Sequence, residues 1–176
     1  VRGGKVIPFQ GTLEVIMPAV LVEPVSDPIV VDIDGNTDGL INPNENGNIT
    51  FTLKNWGSQT ASTVQATLLA PGSNLIQIIT TSPVSFGNLA PGGSSNGSPF
   101  QFYIKPFCPV GQIITLQLHV TSSSNSWDYN YNLEVKGCML VVENYVVHDD
   151  GSPNKNYRMD PGETVELFLS VLNNGE

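Results

Sequence analysis

A twelve-residue acidic loop set between two strand-like runs constrains this chain more than any other feature. It reads Asp34-Gly35-Asn36-Thr37-Asp38-Gly39-Leu40-Ile41-Asn42-Pro43-Asn44-Glu45 and satisfies every specified position of the calcium-loop pattern D-x-[DN]-x-[DN]-G-x5-E. Asp34, Asn36, Asp38, Asn42 and Glu45 offer side-chain oxygens, Leu40 offers its carbonyl, and Asp32 is a spare carboxylate just outside. Gly39 stands where the sharp turn needs a residue without a Cβ. The flanks exclude a helix–loop–helix, because Ile29-Val30-Val31-Asp32-Ile33 and Asn48-Ile49-Thr50-Phe51-Thr52-Leu53 both read as strands. Asn, Asp and Gly also form turns without any ion. Mutual repulsion of Asp32, Asp34, Asp38 and Glu45 favours a bound cation over a plain turn. Many flexible oxygen donors favour Ca2+ over Mg2+. The expectation is an extracellular β domain stiffened by calcium.

Charge supports this reading by its distribution. The net charge of −9 excludes a nucleic-acid surface, since nothing here could neutralise phosphates. Acidic residues run from Glu14 to Glu45, stop, and resume only at Asp128. Charge that merely solvates a surface would be spread along the chain. No apolar run approaches the roughly 18 residues needed to cross a bilayer. The chain begins at Val1 with no initiator Met and no signal peptide, and is expected to be processed or cut from a longer protein.

The chain also repeats itself. Thr12-Leu13-Glu14-Val15 and Val20-Leu21-Val22-Glu23 recur as Asn132-Leu133-Glu134-Val135 and Leu140-Val141-Val142-Glu143. Asn42-Pro43-Asn44-Glu45 recurs as Asp160-Pro161-Gly162-Glu163, and Leu53-Lys54-Asn55-Trp56-Gly57 as Val171-Leu172-Asn173-Asn174-Gly175. Self-similarity at the length of one sandwich domain predicts tandem modules. Residues 1–18 then read as the closing strand of a preceding module or a linker, 19–137 as one complete module, and 138–176 as the first strands of a second, incomplete one. A second, longer acidic loop offers Asp149, Asp150, Ser152, Asn154, Asn156, Asp160 and Glu163 as a weaker metal site.

Period-two alternation fixes the fold class as an immunoglobulin-like antiparallel β-sandwich. Ile49, Phe51 and Leu53 share one face, as do Val64, Ala66 and Leu68, then Phe100, Phe102 and Ile104, then Ile114, Leu116, Leu118 and Val120. Trp127, Tyr129 and Tyr131 are in phase with Leu133 and Val135, which predicts core packing rather than a stacking platform for sugars. Trp56 reads as an aromatic covering a sheet edge. Cys108 and Cys138 bracket the last hairpin, and antiparallel pairing brings them nearly opposite, with a bulge at Gly111 or Gly137 correcting the face. A disulfide there is expected, in keeping with an oxidising compartment. His119 and His148 have no nucleophile partner in any recognisable motif, so catalysis is not expected.

Asp32-Ile33-Asp34-Gly35-Asn36 through Asn42-Pro43-Asn44-Glu45, followed by Ile49-Thr50-Phe51-Thr52-Leu53-Lys54-Asn55-Trp56-Gly57, resembles a known module type. It is similar to the immunoglobulin-like N-P-G-E repeats of large secreted Bacteroidetes proteins, among them gingipain-like cysteine peptidases, other exported hydrolases and adhesins. Asp160-Pro161-Gly162-Glu163 has the usual form, whereas Asn44 stands in place of Gly in the first copy. The resemblance implies a non-catalytic module of a secreted or cell-surface protein that spaces, adheres or docks neighbouring domains. The alternatives are an accessory domain of a secreted peptidase or other hydrolase, and a carbohydrate-binding module. The expected partners are neighbouring domains of the same polypeptide, a glycan or protein surface ligand, and a second copy meeting the incomplete C-terminal strands; neither nucleic acid nor a membrane is expected.

Overall fold

The computed structural model describes residues 17–35, 38–138, 140–149, 151 and 156–173. Among them every regular element is a strand: β1 (Val22–Pro24), β2 (Ile29–Asp32), β3 (Asn46–Thr50), β4 (Thr52–Asn55), β5 (Ala61–Leu69), β6 (Ile76–Ile78), β7 (Val84–Leu89), β8 (Ser94–Asn96), β9 (Phe100–Ile104), β10 (Ile113–Thr121), β11 (Ser126–Glu134), β12 (Leu140–His148) and β13 (Glu166–Asn173). The ladders β1–β4–β8 and β2–β3–β9–β6 share their chain runs, because β1 leads into β2, β3 into β4 and β8 into β9. Together they form one layer. The other layer is β11–β10–β5–β7. All pairings are antiparallel. The expected fold class, an immunoglobulin-like antiparallel β-sandwich, is the one observed.

Alternation places the core where the sequence put it. Ile49, Phe51, Leu53, Phe100, Phe102 and Ile104 line one inner face, and Val64, Ala66, Leu68, Leu116, Leu118 and Val120 line the other, all buried. Each large side chain hidden this way contributes about 1.5–3 kcal/mol. Phe51, at the step from β3 to β4, packs edge-on to Phe100 at 5.9 Å and against Tyr131 at 4.9 Å between centroids. Trp127, Tyr129 and Tyr131 are half-buried against this core, as their phase predicts.

One polar side chain holds the far end. Asn55 is fully buried. Its Nδ2 donates to the carbonyls of Gln59 at 2.7 Å and Leu89 at 2.9 Å, while its Oδ1 accepts from the N–H of Gly57 at 2.9 Å and Leu21 at 3.4 Å. It closes the turn after β4 and ties that turn to β7. Beside it Lys54 Nζ sits 3.7 Å over the centre of the Trp56 ring, which remains half in solvent.

The expected disulfide is not formed: Cys108 is a buried free thiol and Cys138 an exposed one. The register explains why. β10 and β11 stay paired from Thr121–Ser126 to Ile113–Glu134, and Val135 still donates to Gln112 at 2.9 Å. There the ladder ends, because Lys136 donates instead to the carbonyl of Ile41 at 2.8 Å. Gly137 then packs beside Asn42 and Val110 rather than continuing opposite β10. On the other side the chain folds into a turn, with Cys108 donating its N–H to Lys105 and Gln112 to Pro109.

β12 and β13 form a separate two-stranded sheet with a register shift between Val142 and Asn144. Its residues are exposed throughout except Val147, even though Tyr145, Val146, Phe168 and Leu169 are large and apolar.

Candidate functional site

Both acidic loops join a strand to its antiparallel partner: the first connects β2 to β3, the second β12 to β13. A tight loop brings its first and last residues together whenever the flanking strands pair. Asp32 closes β2 opposite Gly47, and Glu45 immediately precedes β3. Asp32, Asn42 and Glu45 are all buried, at 8%, 9% and 6% exposure.

The loop organises itself around these oxygens. Glu45 Oε2 accepts the N–H of Asn42 at 3.0 Å and its Nδ2 at 3.1 Å. Asp32 Oδ2 accepts the N–H of Gly39 at 3.2 Å, and Asp38 Oδ1 that of Leu40 at 2.8 Å. The Leu40 carbonyl takes a weak bond from Asn42 Nδ2 at 3.4 Å. Gly35 is required by space as much as by conformation. Its φ is +75°, and a Cβ there would fall on Glu45 Oε1 and lie 2.7 Å from Glu45 Cδ.

Of the sequence-predicted ligands, Asp38, Leu40, Asn42 and Glu45 are joined by hydrogen bonds, while Asp32 accepts from Gly39. Asp34 is turned to another task. Its Oδ1 accepts the N–H of Asn46 at 2.7 Å and its Oδ2 accepts Asn46 Nδ2 at 2.6 Å. These bonds, the side-chain one first, hold the Asp34 carboxyl below its ordinary range. Asn36 lies outside the described residues.

The second loop reproduces the skeleton of the first. Asp160 donates its N–H to Glu163 Oε2 at 3.2 Å, as Asn42 does to Glu45. Arg158 donates to Asn156 Oδ1 at 2.8 Å, as Leu40 does to Asp38. Asp149 Oδ2 accepts the N–H of Tyr157 at 3.0 Å, as Asp32 accepts that of Gly39. The left-handed positions correspond too: Gly39 (φ 86°) with Tyr157 (φ 59°), and Asn44 (φ 70°) with Gly162 (φ 87°). Asn44 can replace Gly because Asn tolerates this region. Asn156 adds bonds from its N–H to Asp149 Oδ2 at 2.6 Å and from Nδ2 to Asp160 Oδ2 at 2.7 Å. Asp150, Ser152 and Asn154 lie outside the described residues.

Among the described residues no three His, Cys, Asp or Glu side chains stand ready around a common metal position. The carboxylates are instead engaged largely with loop N–H groups. Backbone and amide oxygens make up much of a calcium shell, so a loop of this kind does not depend on three carboxylates alone.

Sequence reasoning missed Asn46, which occupies Asp34, and Tyr103, whose OH donates to Asn44 Oδ1 at 2.8 Å. Tyr103 is far along the chain, and no local signal pointed to it. His119 accompanies Asp128 at 2.7 Å on the outer face of β10–β11, and His148 packs on Phe168 at 5.0 Å between centroids.

Comparison with known proteins adds little. No family model and no curated protein matches the chain. Among solved structures, a family 123 glycoside hydrolase from Clostridium perfringens is similar at 14% identity and a TM-score of 0.36, over 56% of this chain and 22% of that one. At that level it carries no functional argument.

Proposed function

We propose that this chain is a non-catalytic, calcium-stabilised immunoglobulin-like module of a secreted or cell-surface bacterial protein, serving to space, stiffen or dock neighbouring domains. The burial of Asp32 and Glu45 in one short strand-to-strand loop carries this reading. Two buried carboxylates in one loop carry a desolvation cost, and that cost is offset when a cation shares their oxygens. The donor set is hard oxygen throughout, which suits Ca2+ at the millimolar-order supply found outside cells. When bound, the ion would lock the end of β2 to the start of β3, held by oxygens of Asp32, Asp38, Asn42 and Glu45 and by the Leu40 carbonyl.

With the cysteines unpaired, the extracellular assignment rests on the loop and on the resemblance to exported Bacteroidetes repeats. The exposed apolar sheet β12–β13 accords with the division at residues 137–138 into a complete module and the opening strands of another. The half-burial of Trp127, Tyr129 and Tyr131 weighs against a sugar platform and so against the carbohydrate-binding alternative.

The test is thermal unfolding of the chain in EDTA and in millimolar Ca2+, repeated for Glu45→Gln. A calcium-dependent rise in Tm that is reduced in the variant supports the reading. A melt indifferent to both chelator and calcium refutes it.

A further inference from the structure

Among the described residues β2 ends one layer of the sandwich and β11 the other, and the layers gape between these two edges. A cavity of about 440 Å³ lies there, lined by Asp27 and Val30 on the β2 side, Asn130 and Tyr131 on β11, and Leu116 on β10. It continues into a more open recess that shares Asp27 and Tyr131 and reaches Glu23. The two edges differ in character. On β11 the side chains turned outward are Ser126, Asp128, Asn130, Asn132 and Glu134, a polar row of the kind that guards a sheet edge. β2 has no such guard: Ile29, Val31 and Ile33 are 68%, 47% and 40% exposed. Ile33 donates its N–H to Asn46 at 3.1 Å, in register with the Ile29–Thr50 and Val31–Asn48 pairs, so the odd-numbered residues bond β3. The main-chain groups of Val30 and Asp32 therefore point away from β3, to the open side. Neither Glu23 nor Asp27 has a cationic partner among the described residues.

We propose that β2 accepts an extended basic peptide as an added edge strand, whose alternate side chains enter the cavity beside Asp27 and cover Ile29, Val31 and Ile33 on the other face. Strand addition draws affinity from main-chain hydrogen bonds and specificity from pockets for alternate side chains, and this edge supplies both. Charge selects the occupant. A second copy pairing antiparallel on β2 would set Asp27 of each chain towards the Asp32–Asp34 end of the other, and each chain carries a net charge of −9. A strand bearing lysine or arginine meets Asp27 and Glu23 favourably instead. The proposal is independent of the calcium reading, because Glu23, Asp27 and the cavity lie outside the acidic loop.

The probe is a short fluorescein-labelled peptide of alternating valine and lysine, titrated with the full chain and read by anisotropy. The chain should bind it. Asp27→Lys and Val31→Lys, each verified as folded by its melt, should weaken binding by about 10-fold or more. Gln65→Lys on the exposed face of β5 adds the same charge as Val31→Lys and should leave binding unchanged. A peptide of the same charge interrupted by prolines cannot pair as a strand and should not bind. Equal binding of the two peptides, or equal losses in Gln65→Lys and Val31→Lys, would mean general attraction to an acidic surface and would overturn the proposal. Failure of the wild type to bind the alternating peptide overturns it too. So does sedimentation as a dimer that Val31→Lys abolishes, since β2 would then pair with its own copy.

Discussion

The phenol of Tyr129 on β11 donates to the main-chain carbonyl of Val22 on β1 at 2.6 Å, bridging the two layers at their open edge. Val22 is fully buried, so removing the phenol leaves a carbonyl with one partner fewer. Burial first, then the charge of Glu23 and the neighbouring Tyr131, push the Tyr129 hydroxyl up to about 12.

Tyr129→Phe is therefore expected to cost about 1–2 kcal/mol of unfolding free energy, measured by urea denaturation. The wild type should also be alkali-sensitive in a defined window. A tyrosine whose folded pKa is raised contributes stability that is complete below its ordinary value of 10.0 and is lost as pH climbs towards about 12, because the unfolded chain ionises first. Burial and the nearby Asp27 push Tyr131 to about 12 as well, so Tyr129→Phe should retain part of this pH dependence. An unfolding midpoint flat across that window would contradict the linkage.

Asn55→Ala is expected to destabilise the sandwich by about 3 kcal/mol or more. It strands the carbonyls of Gln59 and Leu89 and the N–H of Gly57 in a buried turn. Urea titration measures the loss, and a midpoint within error of the wild type would show that water replaces the amide.

Two glycines of the first loop should behave differently. Both have positive φ, so alanine strains each by about 1–2 kcal/mol. Around Gly39 a Cβ meets nothing within 4 Å, whereas at Gly35 it collides with the Glu45 carboxylate. Gly35→Ala should thus be the more destabilising and should weaken calcium binding further by displacing Glu45. Equal effects in melts with and without Ca2+ would mean that the cradle is unimportant.

The thiols give a direct check on the register. Maleimide labelling followed by intact mass should add one label rapidly at exposed Cys138, and a second at buried Cys108 only after denaturation. Burial also raises the Cys108 pKa, which lowers its thiolate fraction and slows it further. Failure to label either position without reductant would show that a disulfide forms after all.

Acid should loosen the base of the first loop through Asp34. Its folded pKa is depressed by Asn46, so this contribution is present above the ordinary 3.8 and fades as pH falls through the lower folded value. Asp34→Asn should flatten that part of the acid limb in a pH series of melts. An unaltered limb would assign acid sensitivity elsewhere.

Local periodicity was enough to read the apolar strands and their inward faces, but not the polar β8 at Ser94–Asn96. Ile49, Phe51 and Leu53, or Phe100, Phe102 and Ile104, need only the two-residue repeat of an extended chain to declare which side is apolar. Other features required partners remote in sequence. Asn46 donates to Asp34, Tyr103 reaches Asn44 from across the sheet, and Lys136 donates to the carbonyl of Ile41. Which donor captures a carboxylate, and where a ladder ends, is a competition among groups that meet only after the layers have packed.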